Sequence, residues 1–208
     1  RLAGVNQVAS DNERGLGFAN ALKYSMRQEP DVIMVGEIRD HETASTSVQA
    51  ALTGHLLIST LHTNDAIGAV ARLSDLGIDN FKTGGALLGA IAQRLLRAIC
   101  PHCKETAEPN PHYFKSLNHK AEVLEDTIFY AGRGCKKCLG TGYLGRIPIY
   151  EIMTVTPALA FAIEQGMPNS KLREIALEEG MVELATAGVE QVIAGHTTIE
   201  EGLYKVYG

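Results

Sequence analysis

The residues best suited to chemistry are four cysteines and one group of acids and histidines. Cys100 and Cys103 form one C-x-x-C pair, and Cys135 and Cys138 form another. Such a turn sets two thiolates on one side of a metal, and two turns complete a tetrahedron. With four sulfur ligands no coordination position stays open, so the expected zinc is structural and not catalytic. The pairs are separated by 31 residues, 104–134, more than the ~15–20 of the usual zinc ribbon. The spacer is therefore expected to form a small lobe of its own. The competing readings are four reduced, unliganded thiols or two disulfides. His102, inside the first pair, is an unneeded ligand and reads better as a surface histidine.

The second group begins with "DVIMVGEIRD", residues 31–40. A run of apolar residues ends in Gly36, then Glu37. A carboxylate at the end of a buried strand can act as a general base or hold a hydrated magnesium ion. The plainer readings pair Glu37 with Arg39 and leave Asp40 to cap the next helix. His55 and His62 flank a second apolar run, "HLLISTLHT" (55–63). Seven residues apart on a straight strand, they would face opposite sides. They do not show the H-x-x-x-H metal spacing. A lone histidine near a core is most often a hydrogen-bonded structural residue. The polar residues crowded around His62 in "STLHTND" make it the better candidate.

These residues need a frame. Phe18, Leu22 and Met26 repeat at helical spacing, and the helix over 14–28 must stop at Pro30. Residues 31–36 read as a strand covered on both faces of a parallel sheet. Residues 41–54 read as a helix closed by Gly54, and 55–63 as a second strand. Asn64 and Asp65 can cap a third helix that Gly77 stops. Asn80 can cap a fourth, running to about Ile99 and buried because it is apolar on most sides. Strand, helix, strand, helix at this spacing is a βαβ arrangement, in which ligands sit beyond the carboxyl ends of the strands. Glu37 and His62 both fall there. Residues 146–153 alternate like a strand, 156–207 read as three or four short helices, and "TTIE" and "TIEE" (197–201) offer capping boxes for the last. Residues 105–126 read as a loop or short helix.

Bulk composition narrows the options. The 208 residues are 45% hydrophobic and 21% charged, with a formal charge of −5. That is globular, and it argues against a nucleic-acid surface. The longest helix-like apolar stretch, 84–92, is far short of the ~20 residues that span a bilayer. Cysteines in C-x-x-C spacing with no signal peptide suggest a reducing compartment. No G-x-x-x-x-G-K-[ST] occurs, and there is no Gly-Lys dipeptide at all. The glycines of "RGLGF" and "GGALLG" therefore read as helix and turn residues.

Taken in order, residues 27–66, "AQRLLRAICPHC" (92–103), "GCKKCLGTGYLGRIPIYEI" (134–152) and "GHTTIEE" (195–201) resemble the secretion-ATPase superfamily. More narrowly they resemble the ATPases of type II secretion and type IV pilus assembly. The resemblance covers nearly the whole chain. It implies α/β architecture: part of a RecA-like parallel sheet with flanking helices (1–99), a zinc-knuckle lobe (100–145) and a small C-terminal helical subdomain (146–208). It implies ATP and magnesium as ligands, a homo-hexamer, an inner-membrane platform protein as partner, no nucleic acid, and a place in the cytoplasm at the bacterial inner membrane. "VIMVGE" matches the family's Walker B stretch, with Glu37 as its functional acid and Gly36 where other P-loop enzymes carry Asp. "GHLLISTLHT" matches its His box. His62, with His55, would lie near the γ-phosphate, and Arg39 is a further candidate nucleotide contact, unless it joins Asp40 in tying the strand end to the next helix. The cysteine quartet matches the knuckle of the secretion and assembly subtypes, which the retraction subtype lacks.

By the same resemblance, the Walker A loop and Asp box lie upstream of residues 4–8. The chain, which starts at Arg1, is then expected to be the C-terminal part of a motor. It would be inactive alone and, without surfaces from the other half, monomeric or weakly dimeric. "GMVELATAG" (180–188) is less basic than the family suggests, which puts the platform contact in question. Two other readings remain open: a zinc-stabilised adaptor that docks a partner through 100–208 without chemistry, and a zinc-ribbon nucleic-acid binder, which the acidic charge disfavours.

Overall fold

The computed structural model describes residues 3–10, 16–108 and 128–207. Most of the 105–126 stretch lies outside the described residues. The chain gathers into two compact units, each drawn from two stretches: 1–90 with 153–179, and 91–152 with 180–208.

The first unit is α/β. Helix α1 (Phe18–Met26) leads into strand β1 (Val32–Val35), helix α2 (His41–Leu52) and strand β2 (Leu56–Ser59). β1 and β2 are parallel, in the register Val32↔Leu56 to Val35↔Ser59. Asp40 caps α2 by accepting the Thr43 N–H at 2.8 Å. Gly54 follows the helix at φ +97°, a left-handed turn that glycine adopts without strain. Helix α1 lays Phe18, Leu22 and Met26, the predicted stripe, against Ile33, Val35 and Leu57. Among the described residues, only that face of β1 is covered. Val32 and Met34 are 54% and 72% exposed, and Leu56 and Ile58 are also open. The expectation of two covered faces is therefore wrong for this chain. An unbroken apolar run cannot distinguish a strand with two covers from one with a single cover.

Helices α3 (Gly68–Asp75) and α4 (Asn80–Ala86) follow. Asp65 Oδ1 accepts the Gly68 N–H at 2.7 Å, so it caps α3 as expected, but from two residues before the N-cap position, which is Ile67. The cap of α4 is Asp79, bonded to Phe81 N–H, and not Asn80. The larger correction comes next. The fourth helix ends at Ala86, and β3 occupies Gly89–Ile99. Ala92 and Leu96 are buried while Ile91 and Leu95 are exposed, a period of two. Apolar residues on both faces of the strand imitated a helix buried all round. Glycine is required at position 89, where a Cβ would lie 2.7 Å from the Met153 carbonyl.

Strand β3 pairs with β6 (Tyr143–Thr154). Val155 N–H donates to Leu88 O at one end and Cys100 N–H to Gly142 O at the other, so the strands are antiparallel. The first unit is completed by α5 (Pro157–Glu164) and α6 (Asn169–Glu178).

In the second unit, β4 (Lys104–Thr106) and β5 (Tyr130–Gly132) form an antiparallel pair beside a 3-10 turn at Lys136–Cys138. Helices α7 (Leu184–Ile193) and α8 (Ile199–Tyr207) supply its core, with Val189, Val192, Ile199 and Leu203 packed on Phe129. The capping-box reading of α8 holds in part. Thr198 Oγ1 accepts the Glu201 N–H at 3.3 Å, while the Glu201 carboxylate takes Arg97. Among the described residues, no helix is long and apolar enough to cross a membrane.

Candidate functional site

The carboxyl ends of β1 and β2 are stitched together. Ile38 N–H donates to Thr60 O at 3.1 Å, and Thr60 Oγ1 donates to Gly36 O at 2.8 Å. These two bonds extend the parallel pairing past the last ladder residues and bring the following side chains within reach of each other. Glu37 Oε2 lies 2.6 Å from Arg39 Nε and 3.6 Å from His62 Nε2. The Glu37 side chain is 23% exposed, and His62 and Arg39 are open. A carboxylate with a guanidinium on one flank and an imidazole on the other can orient a water and draw off its proton. The exposed imidazole and guanidinium can meet an anion.

Of the four residues singled out at this sheet, three converge: Glu37, Arg39 and His62. His55 does not join them. It precedes β2, with Nδ1 3.1 Å from Ala50 O and 3.4 Å from Thr53 Oγ1. The strand ends at Ser59, not at residue 63, so His62 stands on a loop and the opposite-face rule for a straight strand does not apply to it.

The four cysteines meet. The sulfurs of Cys100 and Cys135 are 3.9 Å apart, those of Cys103 and Cys138 3.9 Å, and those of Cys135 and Cys138 3.7 Å. All four lie within 4.8 Å of one another. Ligands about 2.3 Å from a zinc ion at tetrahedral angles stand about 3.8 Å apart, so the donor set fits zinc. Disulfide sulfurs would be about 2.05 Å apart, and the cysteines are free thiols. Burial pushes the Cys103 thiol up to about 12 and raises Cys100 as well. Burial acts the same way on Cys138. There the N–H groups of Cys135 and Gly142, at 3.2 and 3.3 Å from its sulfur, outweigh it and bring the thiol down to about 6. His102 is not one of the clustered donors.

Sequence reasoning missed two long-range ion pairs. Asp65 meets Arg173 at 2.5 Å, and the buried Glu201 meets Arg97 Nη2 at 2.6 Å. Asp65 was legible as a helix cap, but nothing in the sequence marks Arg173 as its partner.

The family model described as "Type II/IV secretion system protein" matches residues 1–204. The chain belongs to that family. It is 44% identical to the type IV pilus assembly ATPase PilB of Thermus thermophilus over 97% of its own length and 23% of that protein's. It is 43% identical to the type II secretion system ATPase E of Vibrio cholerae, over 95% and 39% respectively. Among solved structures, it is similar to the pilus retraction motor PilT with bound ADP, at a TM-score of 0.63 and 26% identity, covering 92% of this chain and 44% of that one. The chain thus spans well under half the length of each of these relatives.

Proposed function

We propose that this chain is the C-terminal part of a motor ATPase that drives type II secretion or type IV pilus assembly. The observation that carries the proposal is the approach of Glu37 to His62 at the carboxyl ends of two parallel strands. It is supported by family membership and by ATPase relatives above 40% identity. Glu37 orients the attacking water and accepts its proton. His62, 3.6 Å from Glu37 and open to solvent, can hydrogen-bond a phosphate oxygen. Arg39, 2.6 Å from Glu37, holds the carboxylate in place and adds positive charge beside the nucleotide. His55, bonded to Ala50 O, holds the turn after α2 instead. Magnesium, when bound with ATP, supplies charge neutralisation at the phosphates, and Glu37 is the carboxylate placed to help hold it.

The phosphate cradle is absent from this sequence, which carries no G-x-x-x-x-G-K-[ST]. Turnover therefore needs residues from a longer parent polypeptide, and we expect the 208-residue chain alone to be inactive. Zinc on Cys100, Cys103, Cys135 and Cys138 is structural. The quartet favours secretion or assembly over retraction. In this reading the parent works as a homo-hexamer in the cytoplasm, against an inner-membrane platform protein.

The test is ATP turnover by the parent polypeptide and by its Glu37→Gln form, which keeps side-chain size and removes the charge. Indifference of turnover to Glu37 would instead favour a zinc-stabilised docking module without catalysis.

A further inference from the structure

Residues 60–67, between β2 and α3, carry His62 with no helix or strand ladder to hold them. Besides the backbone bond from Ile38 N–H to Thr60 O, side chains hold them. Thr60 bonds Gly36 O, and Thr63 Oγ1 donates to Asp65 O at 3.0 Å. Asp65 then uses both carboxylate oxygens. Oδ1 accepts the Gly68 N–H at 2.7 Å, and Oδ2 meets Arg173 Nη2 at 2.5 Å. Gly68 leaves little slack, since a Cβ there would lie 3.0 Å from Asp65 Oδ1. Arg173 stands on α6, 108 residues further along the chain.

A helix cap needs one oxygen and no charge, and asparagine or serine serves as well. The second oxygen of Asp65 therefore does something that capping does not require. The cap joins the His62 loop only to α3, the helix that follows it. The Arg173 contact joins the same loop to α6, in the same compact unit. Both side chains are about one-third exposed, so the pair contributes modestly to stability. A charge-assisted bond is, however, directional enough to fix a loop's position.

We propose that Arg173 is a positioning residue for the Glu37–His62 pair, acting through the Asp65 carboxylate. The proposal rests on the hydrolytic reading of Glu37 and His62. Displacing a catalytic group by about 1 Å can cost as much as 10²-fold in rate, so a loop anchor can matter far more to turnover than to folding.

The test uses Arg173→Met, Arg173→Lys and Asp65→Asn, the last of which keeps an oxygen for Gly68. In the parent polypeptide, Arg173→Met should lower kcat by about tenfold or more with KM for ATP nearly unchanged, and Arg173→Lys should recover most of the loss. Asp65→Asn should match Arg173→Met, and the double variant should be no worse than either single one. In the 208-residue chain, amide exchange should speed up at residues 60–68 and stay unchanged in α7. Unchanged kcat, strictly additive losses, or faster exchange spread over the whole unit would overturn the proposal. Failure of the underlying reading is separable. If Glu37→Gln abolishes turnover while Arg173→Met spares it, only the positioning role falls. If Glu37→Gln spares turnover, the hydrolytic reading falls and takes this role with it.

Discussion

Glu201, its side chain 1% exposed, accepts the Arg97 backbone N–H at 3.0 Å and the Arg97 Nε at 2.8 Å. The two residues are 104 positions apart, and the contact fixes the start of α8 to β3. Arg97 also stacks over the Tyr143 ring, 4.1 Å from its centroid, and Tyr143 Oη bonds Thr198 Oγ1 at 2.8 Å. The pair is asymmetric, because Arg97 is 55% exposed and Glu201 is not.

That asymmetry sets the order of two substitutions. Arg97→Met removes the guanidinium from a buried carboxylate and should destabilise the chain by about 3 kcal/mol or more. Glu201→Gln leaves the cation partly solvated and can still accept the Arg97 N–H, so it should cost about 1–3 kcal/mol. Urea unfolding of both variants checks the order. The reverse order would mean that the carboxylate is not the desolvated partner.

These ties also show where the sequence stopped being legible. The cysteine quartet, the acid after β1 and the cap at Asp40 each rest on short spacings, and each could be read from neighbouring residues. Arg97–Glu201 and Asp65–Arg173 depend on which distant segments pack together, and no local pattern encodes that. Strand β3 failed for another reason. Ile91 and Leu95 are apolar yet exposed, so the alternation that marks a strand was masked on its open face. The open face of β1 was illegible in the same way, since Val32 and Met34 look like core residues.

The cysteine cluster should bind zinc more tightly as pH rises. A raised thiol stays protonated below its raised value, so at pH 7 Cys100 and Cys103 hold protons that zinc must displace. Cys138, near 6, is largely thiolate by then and steepens the dependence only at lower pH. Competition titrations with a chelator between pH 6 and 8.5 should show affinity rising by about tenfold per pH unit for each proton displaced. A flat profile would contradict thiol ligation.

Gly132 and Gly142 touch back to back beside that cluster. A Cβ on Gly132 would run into the Gly142 carbonyl, and Gly142 holds φ +77° while its N–H donates to Cys138 Sγ. Gly132→Ala should cost about 1–3 kcal/mol through overpacking and should also weaken zinc binding, because it displaces the N–H that stabilises the thiolate. Thermal melts with and without zinc separate the two effects. A variant with normal metal affinity would show that this N–H does not support the site.

The open face of the β1–β2 sheet gives a prediction of no effect. Met34 is 72% exposed, so Met34→Ser in the 208-residue chain should change stability by less than about 0.5 kcal/mol. Ile33→Ala, on the covered face, should cost about 2–5 kcal/mol. Chemical unfolding of the pair tests which face α1 covers, and equal losses would contradict the fold described.

The central claim is that Glu37 performs chemistry. Its most direct test is to measure nucleotide affinity and steady-state phosphate release on the same Glu37→Gln preparation of the parent polypeptide. The account predicts that ATP still binds while turnover falls by about 10²-fold or more, the order expected for removing a general base. Turnover at the unaltered rate would contradict it, and would leave Glu37 as no more than the partner of Arg39.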